Sequence, residues 1–174
     1  APLLRRSAFW VRLRQALDID RRNLVFGWFK KKQQLSATAS RRDHETLART
    51  AAMLEMQLML CKADNQKYEK FIHGNYARGY FIGFFDASMQ YANIPVMGDE
   101  HFATLIGVGH TYLFKGDAKT AMNFSLDSLM LQGNEEFGMA QAEGGKDYFE
   151  SLQGQIRAPV KLMNKFHADD GTNA

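Results

Sequence analysis

Pro2, Pro95 and Pro159 are the only prolines in 174 residues, so little in the chain forbids continuous helix. Cysteine is scarcer still. Cys61 stands alone inside an apolar run, which excludes an internal disulfide framework and reads as a small buried hydrophobe in a disulfide-free compartment. Also missing is any uninterrupted apolar stretch of roughly 18 residues, because Arg78, Asp86, Lys115 and Asp117 break the most hydrophobic segments. No transmembrane segment is therefore expected. The chain begins at Ala1 rather than Met, which fits either removal of the initiator or a cleaved leader, and we expect the leader.

The residues of common catalytic and cofactor motifs are lacking as well. Gly107-x-Gly109 has neither the preceding strand nor the third glycine of a dinucleotide fingerprint, and reads as a packing feature. Gly144-Gly145-Lys146-Asp147 lacks the first glycine of a phosphate loop and the hydroxyl residue after the lysine. His44, His73, His101, His110 and His167 are scattered, with no recurring metal-ligand spacing. No catalytic, cofactor-binding or metal-binding residue is expected, and the chain reads as a binding protein rather than an enzyme.

What is present favours helix. Ala, Leu, Met, Gln, Lys and Arg are plentiful, and 45% hydrophobic with 24% charged residues is ordinary for one folded domain. The expected fold class is all-α. Charge divides the chain unevenly: residues 1–34 carry nine basic and two acidic side chains, while the remaining 140 carry 13 and 17. A basic arm of +7 thus precedes a body of −4.

Residues 3–17 mix arginines with Leu3, Phe9, Trp10, Leu13 and Leu17 at approximate helical spacing, which predicts an amphipathic helix. Leu24, Val25, Phe26, Trp28 and Phe29 precede three lysines and fit a second short helix. We expect residues 1–38 to form a basic N-terminal arm, 39–168 a helical-repeat domain, and 169–174 a frayed tail. Arg5, Arg6, Trp10, Arg12, Arg14, Phe26, Trp28 and Phe29 are the candidate partner-binding residues, because aromatic and arginine side chains make good interface anchors.

Ser40 followed by Asp43 resembles a helix start, and the helix should run to about Lys62. Its stripe of Leu47, Ala51, Leu54, Leu58 and Cys61, flanked by Met53, Met56 and Met59, is wide enough to be covered on more than one side. From Tyr68 to Asn93 the chain reads as two aromatic-rich helices meeting near Gly79, with Gly74, Gly79 and Gly83 serving close approach or a tight turn. At helical spacing those aromatics read as core rather than as a base-stacking platform. Ile94-Pro95 should end the second helix. Further helices are expected at about 100–114 and 117–132, divided by Gly116 as helix end and Asp117 as N-cap, and at 135–152 and 155–168, divided by Gly154.

Met89-x-x-Ala92-Asn93 and Met130-x-x-Gly133-Asn134 repeat at an offset of 41 residues, each preceded by an acidic residue, Asp86 or Asp127. In both, a Met would plug the gap between stacked helices and the small residue with Asn would take a left-handed C-cap. The run from Phe85 to Pro95, continuing through Asp99-Glu100-His101-Phe102-Ala103-Thr104-Leu105-Ile106, resembles the junction between two pentatricopeptide repeats. Lys115-Gly116-Asp117-x-x-x-Ala121 is similar to that family's inter-helix turn. Gly109, Tyr112, Gly116 and Ala121 also match tetratricopeptide spacing. The resemblance covers roughly residues 66–135, and both families imply a short solenoid of antiparallel helix pairs.

Family members that read RNA use polar side chains, and the corresponding position is Ala103, which can make no side-chain hydrogen bond. The family is largely organellar. In size and basic-ended character the chain also resembles the helical-repeat subunits that euglenozoans attach to the F1 head of mitochondrial ATP synthase. That resemblance implies a matrix-side, non-catalytic structural subunit docked on the α subunit. The competing expectation is an organellar RNA-binding adaptor of the pentatricopeptide type, with the basic arm on phosphates.

Overall fold

A computed structural model describes residues 39–168; the arm, with all eight candidate partner-binding residues, and the tail lie outside the described residues. Among the described residues there are seven α-helices and no strand: α1 Arg41–Met59, α2 Asn65–Ile72, α3 Asn75–Tyr91, α4 Asp99–Leu113, α5 Ala118–Leu129, α6 Glu135–Leu152 and α7 Lys161–Ala168. A 3-10 turn, Cys61–Ala63, joins α1 to α2. The all-α expectation holds over this stretch.

Helix boundaries follow local chemistry. The Asp64 carboxylate caps α2 by accepting from the Lys67 backbone N–H at 3.0 Å. Asp117 caps α5, accepting from the N–H groups of Lys119 and Thr120 at 3.1 and 3.0 Å. At the end of α3, Asn93 takes φ 52°, while the Ile94 N–H donates to Met89 O and the Asn93 N–H to Gln90 O. This paired return is a Schellman ending, and Pro95 then prevents the helix from resuming.

Several boundaries differ from the sequence expectation. The break in the aromatic region falls at Gly74, not Gly79, and α3 runs unbroken past Gly79 and Gly83. Of the two offered roles, those glycines take close approach. At the α4–α5 turn the left-handed residue is Lys115, φ 49°, rather than Gly116. The final helix begins at Lys161, beyond Pro159, instead of at 155. The two repeat sites also diverge: Met89 is buried, whereas Met130 is exposed. Asn93 ends α3, but Asn134 starts α6 by accepting from the Phe137 N–H at 3.0 Å, and Gly133 takes the positive φ.

Helix α3 is central. Its residues from Gly79 to Met89 are buried without interruption, as expected of a helix covered on all sides. The most extensive packing is of α3 on α6, followed by α1 on α4 and α4 on α5. On the first of these interfaces a Cβ at Gly79 would overlap the carbonyl oxygen of Phe137, one at Gly83 that of Gln141, and one at Gly144 that of Tyr80. The two backbones therefore touch. Gly109 plays a related part, since a Cβ there would lie 2.7 Å from Phe85 Cε1. Arg78, the charge that interrupts the apolar run, donates to His73 O, Phe124 O and Ser128 Oγ and lies 4.2 Å from the Phe124 ring centre. It ties the α2–α3 junction to α5.

Candidate interaction surface

Helix α1 has two apolar faces of unequal fate. Leu47, Ala51, Leu54 and Leu58 recur at helical spacing and are buried against α3 and α4. Met56 and Met59, with Leu60 just past the helix end, are spaced i, i+3 and i+4 and stand outward at 71%, 65% and 59% exposure. Arg49 and Ala52 are exposed on the preceding turns of that outward stripe. The fold thus covers one side of a stripe that the sequence provides for two. Adjacent exposed apolar side chains flanked by charge are characteristic of a docking surface.

A concavity of about 580 Å³ lies between α6 and α7 and is lined by Tyr76, Glu136, Met139, Glu143, Lys161, Asn164, Lys165 and Ala168. The Tyr76 hydroxyl donates to Glu143 Oε2 at 2.7 Å, joining two of the lining residues. Acidic side chains come from α6 and lysines from α7, so the groove has walls of opposite charge.

Two buried polar centres lie inside the fold. At the first, His110 Nδ1 is 2.7 Å from Ser125 Oγ, and the imidazole is boxed by Phe81, Phe85, Phe114 and Phe124. Burial, reinforced by the Arg78 charge, pushes the His110 pKa down to about 3, so the ring is neutral at physiological pH. His110 is wholly buried and Ser125 likewise, and a nucleophile pair needs an opening for its substrate. The pair is a packing device.

The second centre joins three helices. The Tyr80 hydroxyl donates to Asp147 and accepts from Gln57 Nε2 at 3.3 Å, and all three side chains are buried. Burial, then the Asp147 bond and charge, raises the Tyr80 pKa well above the ordinary phenol range. Sequence reasoning missed this centre, although Gln57 and Asp147 each fall on the buried stripe of their helix, and a polar residue at a core position is the available signal.

Cys61 is a buried free thiol. Among the described residues no group of three or more His, Cys, Asp or Glu side chains is arranged to hold a metal, and no helix is long and apolar enough to cross a membrane. Tyr68, Tyr80, Phe81, Phe84 and Phe85 are core residues, while Tyr91 is exposed. Ala103 is half-buried on α4. Compared with protein-family models, curated proteins and solved structures, the chain matches none.

Proposed function

We propose that this chain is a non-catalytic structural or assembly subunit of a mitochondrial protein complex, a peripheral subunit on the F1 head of ATP synthase docked on its α subunit, matrix-side. The finer architecture belongs to the same proposal: a short pentatricopeptide-like or tetratricopeptide-like solenoid led by a basic arm. The single observation behind it is the outward face of α1, where Met56 and Met59, with Leu60 just past the helix end, stand exposed on a helix whose other side is packed. The arm's arginines and tryptophans, Arg5, Arg6, Trp10, Arg12, Arg14 and Trp28 among them, supply further anchors of the kind interfaces favour.

The arm's charge of +7 favours a second reading, an organellar RNA-binding adaptor. Burial of most of the α3 aromatics speaks against base stacking by that helix.

A tagged pull-down from native mitochondrial extract, with and without ribonuclease, separates the two. The scaffold reading expects one stoichiometric assembly that resists nuclease; partners that vanish with RNA overturn it. Met56→Glu with Met59→Glu should lower capture at least about tenfold while changing stability by no more than about 0.5 kcal/mol, as is usual for exposed positions. Charge reversal of Arg5, Arg6, Arg12 and Arg14 should weaken RNA affinity and flatten its salt dependence only under the second reading.

A further inference from the structure

Helix α7 is eight residues long and sends two side chains into the core, Leu162 and Phe166, four residues apart. The start of a helix leaves backbone N–H groups without intrahelical acceptors. In α7 two of these are met by side chains from other helices: Asp147 Oδ2 accepts from the Lys161 N–H at 3.3 Å, and Gln57 Oε1 from the Leu162 N–H at 3.2 Å. Tyr80 bonds to both acceptors and so holds them in register. The Asp147 carboxylate also faces the positive end of the α7 dipole, and its Oδ1 is buried without a hydrogen-bond partner.

The rest of the seat is equally generic. Phe166 meets Phe71 edge to face at 5.3 Å, and Lys67 Nζ lies 4.2 Å from the Phe166 ring centre. Lys161 Nζ is 3.5 Å from Glu150 Oε2, and Lys165 Nζ is 5.6 Å from the Tyr76 ring centre. Every one of these contacts recognises a property of an amphipathic helix: free N–H groups at its start, apolar residues four apart, and a lysine before each. The connector 153–160 that ties α7 to α6 has no buried residue, turns at Gly154 with φ 71°, and contains Pro159.

We propose that the seat built by Gln57, Tyr80, Asp147 and Phe71 is a helix-binding groove, occupied in cis by α7 and taken over by a partner helix with the same pattern when α7 lifts. The neighbouring concavity runs along α7 itself, lined by its Lys161, Asn164, Lys165 and Ala168, so one side of the helix is uncovered. The proposal rests on the reading that this chain docks on a protein.

Hydrogen exchange on the full chain and anisotropy of a labelled peptide copying residues 157–168 test it together. Amides of 161–168 should exchange at least about tenfold faster than those of α3 and α6, as expected of a locally opening unit. Leu162→Ala should accelerate them further, leave α3 and α6 unchanged, and strengthen peptide binding at least about tenfold by freeing the seat. A peptide carrying L162D and F166D should not bind. If Leu162→Ala does not fold, Phe166→Leu replaces it. Exchange of 161–168 in step with α3 and α6, or binding that ignores the two anchors, overturns the proposal. Recovery of the complex in the pull-down alongside such a result leaves the docking reading standing and removes only the seat. Peptide binding at the seat without recovery of any complex does the reverse.

Discussion

Helices α6 and α7 follow one another in sequence yet are held to the molecule by opposite means. Helix α6 lies on α3 because side chains are absent: Gly79, Gly83 and Gly144 let two backbones touch, and many weak dispersion contacts result. Helix α7 is held because side chains reach out, with Asp147 and Gln57 capping its N–H groups and two apolar anchors beneath. The first contact is rigid, since a carbonyl oxygen cannot move aside for a methyl group. The second rests on a few hydrogen bonds and two buried anchors, Leu162 and Phe166, on a helix of only eight residues.

Breaking the glycine contact should have the largest effect. Gly83→Val places a branched side chain against the Gln141 backbone and should cost about 5 kcal/mol or more, leaving no cooperative urea transition. A pH scan separates both contacts from a third buried group. His110 has its pKa depressed from 6.5 to about 3, so the unfolded chain takes up a proton that the folded chain refuses. The contribution of this group is therefore complete above pH 6.5 and is lost as pH drops from 6.5 toward 3, by roughly 5 kcal/mol at most. Denaturant melts at pH 7 and pH 4 should show a smaller difference in His110→Phe than in the unaltered chain.

On the polar side, Asp147→Ala removes the acceptor of the buried Tyr80 hydroxyl, leaving it Gln57 alone, and that of the part-buried Lys161 N–H, and should cost about 3 kcal/mol, measured by urea denaturation. Exchange of the α7 amides should rise more than that of α3, which would sharpen the contrast between the two attachments. The smallest effect has the opposite sign. Gly138 lies on the exposed side of α6 with open space where a Cβ would stand, so Gly138→Ala should raise stability by about 0.5–1 kcal/mol. A loss there would mean that α6 needs flexibility beyond its contact with α3.

Much of the helical outline was legible along the chain. Pro95 with Asn93 and Asp117 mark an end and a start that the structure places within a few residues of expectation, and Gly154 marks the end of α6 but not the start of α7. Legibility fell where one residue type serves two ends: glycine permits both a turn and a close approach, and only the presence of α6 decides that Gly79 belongs to the second. The resemblance between the Met89 and Met130 sites likewise concealed different surroundings, one Met under neighbouring helices and the other at the surface. The eight arm residues proposed as anchors lie outside the described residues, so the candidate interaction surface comes from α1 instead.

Caps, prolines and apolar periodicity act over a few neighbouring residues, so the sequence by itself determined the all-helical character of the described residues, most of their helix boundaries, the buried stripe of α1 and the uneven charge of residues 1–34 and the remainder. Which helices meet was decided in three dimensions. Gln57, Tyr80, Asp147 and Leu162 are up to 105 positions apart, and their shared hydrogen bonds exist only because α1, α3, α6 and α7 converge. The outer face of α1 is exposed for the same reason: the helices that fold around it reach one side only.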